Sequence, residues 1–264
     1  MRVPAESADL VLAALLDLAP SGVEQVDGEV VELAVYGAPG ELPELSPGEA
    51  EVGGIRVAVS STEVPDDWTE RWKAFHVPVL VAGRLYVRPP WDEAPAPGGA
   101  IDLTIDPAQA FGTGSHATTR LALELLLELS DAGLGGSFCD LGCGSGVLSV
   151  AAALLGFAPV TALDNDVLSV QASAQNAARN GVELERIERF DLRADPMPTA
   201  EVVAANLTRP LLLRVGEALP ERPRALVASG LLDDEADEVT AALAPLRETR
   251  RITAEGWSAL LLEL

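Results

Sequence analysis

The run Phe138-Cys139-Asp140-Leu141-Gly142-Cys143-Gly144-Ser145-Gly146-Val147-Leu148 decides how this chain is read. A short strand leads into three glycines at alternate positions, and an apolar run with helical character resumes directly behind them. A turn without side chains lets a ligand approach the backbone, and the helix that follows presents unpaired N–H groups. Nicotinamide and flavin enzymes use a similar loop with the pattern G-x-G-x-x-G. Here the third glycine of that pattern would fall at Val147, and the spacing is instead Gly142, Gly144, Gly146. Asp140, two residues ahead of the first glycine, repels a pyrophosphate and suits a ligand with a cationic end. S-adenosylmethionine carries an ammonium and a sulfonium, and it is the expected cofactor.

The rest of the composition narrows the class. At 264 residues and 48% hydrophobic content the chain can fill one large core or two modest ones. It has no apolar run of about 18 residues or more, so no membrane segment is expected. Its start, Met1-Arg2-Val3-Pro4-Ala5-Glu6, lacks the basic and apolar regions of a signal peptide. A cytoplasmic monomer is the expectation. Cys139 and Cys143 are the only cysteines, and a C-x₃-C pair with no second ligand pair predicts neither a metal nor a disulfide framework. Eighteen basic against 41 acidic residues give a formal charge of −23. That repels nucleic acid and anionic membranes and favours a basic partner, unless the acidity serves solubility alone.

Along the chain, residues 8–18 carry apolar positions at helical spacing, and 23–36 is strand material broken at Gly28. With a further strand at 55–59, residues 1–64 are expected to form a small α+β domain. Residues 65–99, rich in tryptophan and proline, are expected to be a linker region that includes a turn and a strand ending at Pro89-Pro90. From residue 100 the pattern changes. A strand at 100–105 precedes a glycine-rich loop, then an apolar helix at 121–129 with Thr118 or Thr119 at its N-terminus as cap. Strands at 138–141, 160–163, 187–190, 202–205 and 225–228 alternate with helices, which implies a parallel sheet covered on both faces. Two final strands, 249–252 and 257–262, are joined by Glu255-Gly256, too short a turn for a crossover, so the sheet should end in an antiparallel hairpin.

In such a sheet a ligand sits beyond the carboxyl ends of the strands. Asp164 ends the second strand, where a carboxylate can accept hydrogen bonds from both ribose hydroxyls; the alternative is a helix cap, a role Asp166 fits better. Asp191 ends the third strand and is placed to meet an adenine amino group or to sit solvated in a loop. Asn206 ends the fourth, and its amide can hold an amine without protonating it. His116 either assists proton removal from that amine or fixes its loop by hydrogen bonding.

The segment Ala110-Phe111-Gly112-Thr113-Gly114-Ser115-His116-Ala117-Thr118-Thr119-Arg120 resembles the signature of the ribosomal protein L11 methyltransferase family. The 67–91 region resembles that family's linker, 140–206 its cofactor domain, and Ser229-Gly230-Leu231 its pattern after the fifth strand. The resemblance implies a Rossmann-like, seven-stranded class I methyltransferase domain at 100–264, a substrate-recognition role for the N-terminal domain at 1–64, and methylation of amino groups on ribosomal protein L11. Carried over residue by residue, the family's cofactor contacts fall on Thr119, Gly142, Asp164 and Asn206. Phe111, Gly112 and Thr113 would lie over the cofactor. Ala162 stands where the family usually has glycine.

Overall fold

The computed structural model describes residues 2–4, 11, 24–26, 30–34, 48–52, 55–60, 76–106 and 116–264. The chain divides into two compact units, Met1–Thr69 and Glu70–Leu264.

In the first unit, strands β1 (Arg2–Pro4), β2 (Glu24–Val26), β3 (Val30–Ala34), β4 (Gly48–Val52) and β5 (Ile55–Val59) form one sheet in the order β2-β3-β1-β5-β4. Strands β2 and β3, which lie on either side of Gly28 in the sequence, pair antiparallel. Val3, Val31, Leu33, Val52 and Val57 bury their side chains together with Val11. Apart from Val11, which is helical, the helix expected at 8–18 lies outside the described residues.

The second unit begins earlier than the expected boundary at residue 100. Strands β6 (Val79–Val81), β7 (Leu85–Arg88) and β8 (Ile101–Thr104) form a three-stranded sheet. Val81, Leu85, Val87, Leu103 and Ile105 share a core with helix α1 (Ala117–Asp131). Within the 65–99 stretch, residues 79–88 are therefore packed structure of this unit, with Val81, Leu85 and Val87 buried, and residues 93–99 form a largely exposed loop.

The large sheet contains β9 (Phe138–Leu141), β10 (Val160–Asp164), β11 (Arg186–Arg189), β12 (Val202–Asn206), β13 (Ala225–Leu232), β14 (Arg247–Ala254) and β15 (Trp257–Glu263). Its order is β11-β10-β9-β12-β13-β15-β14, parallel up to β13. The final hairpin is antiparallel, and β15 sits between β13 and β14. Successive residues of a strand point to opposite faces. Thus Phe138, Ala162, Ala204, Val227 and Leu261 pack on α1 and α2 (Val147–Leu154). Leu141, Leu163, Val203, Ala205 and Leu260 pack instead with Leu212 and Val215 of α4 (Arg209–Ala218) and Val239 of α5 (Ala236–Ala242). Helix α3 (Val167–Arg179) covers β10 and β11. The expectation that 187–190 is a buried strand needs correction: β11 is the sheet edge, and its charged residues are exposed.

Candidate active site

Strand order reverses between β9 and β12, and a cavity of about 630 Å³ opens at the carboxyl ends of these strands. That volume falls within the range of small-molecule sites. Its wall includes Gly142 and Gly144 after β9, Asp164 at the end of β10, Asp191 after β11 and Asn206 at the end of β12. The strands place these four groups together because their ends lie in register: Asp140 pairs with Ala162 and with Ala204.

Asp164 receives the Gly144 N–H on Oδ2 and the Asp166 N–H on Oδ1, each at 2.9 Å. A carboxylate has about four acceptor positions, so both oxygens can take a further donor. Asp166 caps α3 by accepting the Leu168 N–H at 3.0 Å, as the sequence suggested. Asp191 accepts the Arg193 N–H on Oδ1 at 2.9 Å, which folds the loop after β11 back on itself. Asp164, Asp166 and Asp191 contribute carboxylates to the wall and Arg193 the single arginine, so its charge suits a cationic ligand.

Asn206 donates from Nδ2 to Thr119 Oγ1 at 3.3 Å. Thr119 itself is wholly buried and is absent from the cavity wall, where Thr118 stands instead. Its observed contact is with the Asn206 amide. His116, not a threonine, caps α1: Nδ1 accepts the Thr118 N–H at 3.3 Å and lies 2.8 Å from Thr118 Oγ1. An imidazole at this position has an unprotonated nitrogen to offer the free amides, which the sequence rule for hydroxyl caps overlooked. His116 also meets Trp257 edge-on at 5.1 Å between ring centres, and both rings line the cavity.

Two expected contacts are placed behind the cavity. Asp140 is 1% exposed and turned to α2, where Oδ2 accepts the Ser149 N–H at 3.1 Å and the Ser149 hydroxyl at 2.6 Å. Its Oδ1 is buried without a partner, and burial pushes the carboxyl up to about 7, the two Ser149 bonds opposing and the charge of Asp164 adding to the rise. It forms no part of the cavity wall, because side chains alternate along β9 and its own turn toward the helix layer. Gly146 abuts α3: a Cβ there would lie 2.9 Å from the Ser173 Cα. Its φ of 80° also demands glycine. Phe111, Gly112 and Thr113 lie outside the described residues.

The wall also contains residues that sequence reading did not single out as contacts, among them Ser169, Phe190, Leu207, Thr208, Gly230 and Trp257. For Gly230 a signal existed in Ser229-Gly230-Leu231. Its φ is 88°, and a Cβ would lie 2.3 Å from the Leu207 carbonyl oxygen. Trp257 carried only the weak signal of an aromatic residue beside a tight turn.

A parallel sheet reversing at a glycine loop, with an antiparallel hairpin at one edge, defines a Rossmann-like class I methyltransferase fold. A solved ribosomal protein L11 methylase from Lactobacillus delbrueckii subsp. bulgaricus superposes with a TM-score of 0.64 at 26% identity, covering 71% of this chain and 98% of that one. Residues 44–263 match the family model described as ribosomal protein L11 methyltransferase (PrmA), and the chain belongs to that family. Similar curated relatives bear the same description. The one from Caldanaerobacter subterraneus is 36% identical over 191 residues, covering 71% of this chain and 61% of that protein. The one from Chromobacterium violaceum is 39% identical over 200 residues, covering 74% and 64%. The chain thus matches a little under two thirds of the length of these two relatives.

Proposed function

We propose that the protein is an S-adenosylmethionine-dependent N-methyltransferase acting on amino groups of ribosomal protein L11, chiefly lysine side chains and also the N-terminal amine. The observation that carries this reading is the convergence of Asp164, Asp191 and Asn206 on one cavity at the sheet reversal, in a chain of this family. The donor set fits the cofactor: Asp164 can take ribose hydroxyls, Asp191 an adenine amino group, and the carboxylate-rich wall a cationic sulfonium. When bound, S-adenosylmethionine supplies a methyl group activated by its sulfonium.

The chain's own residues then have to orient an unprotonated amine and exclude water. Asn206 is the orienting group. Its Nδ2 is committed to Thr119, so the amide oxygen is the atom that accepts an amine N–H and leaves the nitrogen lone pair for attack. His116 and Trp257 wall the amine's approach, and with Nδ1 accepting the Thr118 N–H, His116 contributes by capping α1 and shaping that approach. Thr119, Asp140 and Gly146 contribute from behind the cavity wall, and Phe111, Gly112 and Thr113 are assigned to the cover of the cofactor on the strength of their motif.

The charge of −23 favours a basic protein acceptor over nucleic acid or an anionic membrane. No helix of the described residues is long and apolar enough to cross a membrane. A cytoplasmic monomer that meets L11 directly is the corresponding arrangement. The test is incubation with methyl-labelled S-adenosylmethionine and ribosomal extract. A labelled L11 band is expected; label on another band would reassign the acceptor, and no label on any protein would refute the activity.

A further inference from the structure

Helix α3 carries a polar stripe on its buried face. Ser169, Ser173 and Asn176 follow one another at helical spacing, each less than a tenth exposed, and Asn180 continues the line at the helix end. Buried polar side chains destabilise a fold unless hydrogen-bonded, so the partners of this stripe show what it serves. Ser173 Oγ donates to the Gly144 carbonyl at 3.0 Å and lies 3.1 Å from Cys143 Sγ. Asn176 Nδ2 donates to the Ser145 carbonyl at 2.9 Å and to the Asp106 carbonyl at 3.3 Å. Its Oδ1 accepts the Asp106 N–H at 2.9 Å and Arg179 Nη1 at 2.8 Å. Asn180 makes a similar two-way bond, but to Thr104 of β8, at 2.8 and 2.7 Å. Two successive carbonyls of the glycine loop are therefore held by α3, whereas Asn180 holds Thr104 of the small sheet and the Asn176 carbonyl of its own helix.

We propose that Ser173 and Asn176 are positioning residues for the cofactor, fixing the glycine loop from behind so that its ligand-facing backbone is set before binding. The proposal rests on the S-adenosylmethionine reading of the cavity. Because a trans peptide points its N–H opposite its C=O, drawing the Gly144 carbonyl toward Ser173 turns the Ser145 N–H away from α3. Drawing the Ser145 carbonyl toward Asn176 likewise sets the Gly146 N–H, which closes the turn on the Cys143 carbonyl at 2.8 Å. Gly142, Gly144 and Gly146 all have positive φ, and a loop of such residues samples many conformations unless something outside it selects one. The side chains of α3 make that selection, and a loop already in its bound shape loses less entropy on binding.

Asn180 provides a control, since it makes backbone bonds of the same kind, to Thr104 and to the Asn176 carbonyl, without touching the loop. Binding of S-adenosylhomocysteine to the full-length protein should weaken about tenfold in Ser173→Ala and in Asn176→Asp, the latter replacing an amide donor by a carboxylate facing two carbonyls. Asn180→Ala should lower the melting temperature yet keep the dissociation constant within about twofold. Amide hydrogen exchange without ligand should quicken at Gly146 in the first two variants and stay unchanged in the third. Equal effects of all three variants, or unchanged exchange at Gly146 in Ser173→Ala and Asn176→Asp, would overturn the proposal. Failure of the unsubstituted protein to bind S-adenosylhomocysteine would instead strike the cofactor reading, and the ligand-free exchange comparison would still decide whether α3 holds the loop.

Discussion

Replacing Asp140 by asparagine should remove a pH-dependent loss of stability that the native carboxylate imposes on the fold. Asp140 sits in the central strand between Ala162 and Ala204, with Oδ1 buried and unpartnered. Burial raises its carboxyl from 3.8 to about 7, against the pull of the Ser149 bonds. An acid whose folded value is raised holds its proton more tightly when folded. The resulting stabilisation is full below about pH 4 and is lost as pH rises through the folded value near 7. Between about pH 5.5 and about pH 8 this one group should therefore cost the native protein about 2 kcal/mol. In Asp140→Asn the Ser149 N–H and hydroxyl can still donate to the amide oxygen, while the titration is gone. Urea unfolding of both proteins at the two pH values measures the effect, because the other titrating groups are common to both and cancel in the difference. The stability gap should move by about 2 kcal/mol in favour of the variant on going to the higher pH. Parallel pH dependences would refute the assignment of a raised carboxyl to the buried face of β9.

Three further outcomes follow from the cavity. Asp164→Ala should weaken S-adenosylhomocysteine binding by about 1 to 3 kcal/mol in a calorimetric titration, and unchanged affinity would remove the ribose role. Asn206→Ala should lower kcat for the labelled protein acceptor more than it changes cofactor affinity; a loss confined to cofactor binding would make it a cofactor contact only. Gly230→Ala forces a Cβ against the Leu207 backbone at a φ of 88°, and should destabilise the protein by about 1 to 3 kcal/mol in thermal unfolding. A native melting temperature would show that the segment after β12 shifts freely.

The central sheet was legible because each inner strand reads as a short apolar run bounded by turn residues, as Val202 to Ala205 does before Asn206. The antiparallel ending was legible from loop length alone, since Glu255-Gly256 cannot house a crossover helix. The strand β11 was legible as a strand but not as an edge: Ile187 and the following Phe190 read as core residues, but the interleaved charges of Arg186, Glu188 and Arg189 are those of a strand with only one neighbour. Within residues 76–99 the turn and the strand ending at Pro89-Pro90 were legible, but their place in the core was not. Proline and glycine at 89–90 and 95–99 signal irregular chain, while the burial of Leu85 and Val87 depends on helix α1, far along the sequence.

The same distinction between local and distant causes separates the site residues that were found from those that were displaced. Asp164 and Asn206 end strands and Asp191 follows the end of β11 by two residues, and such a place beyond the carboxyl ends of the sheet follows from topology alone. Asp140 lies inside a strand, where the face it points to follows from the pleat. Counting alternately from Phe138, which is on the α1 and α2 face, puts Asp140 on that same face, beneath Ser149 rather than in the cavity. Its electrostatic match to a cationic ligand was sound as chemistry, but the geometry gives the carboxylate to the helix behind the loop. The cationic ligand is left to Asp164 and Asp191, which do reach the cavity wall. Asp140 therefore ties β9 to α2 through Ser149, at a cost in stability that the pH experiment on Asp140 measures directly.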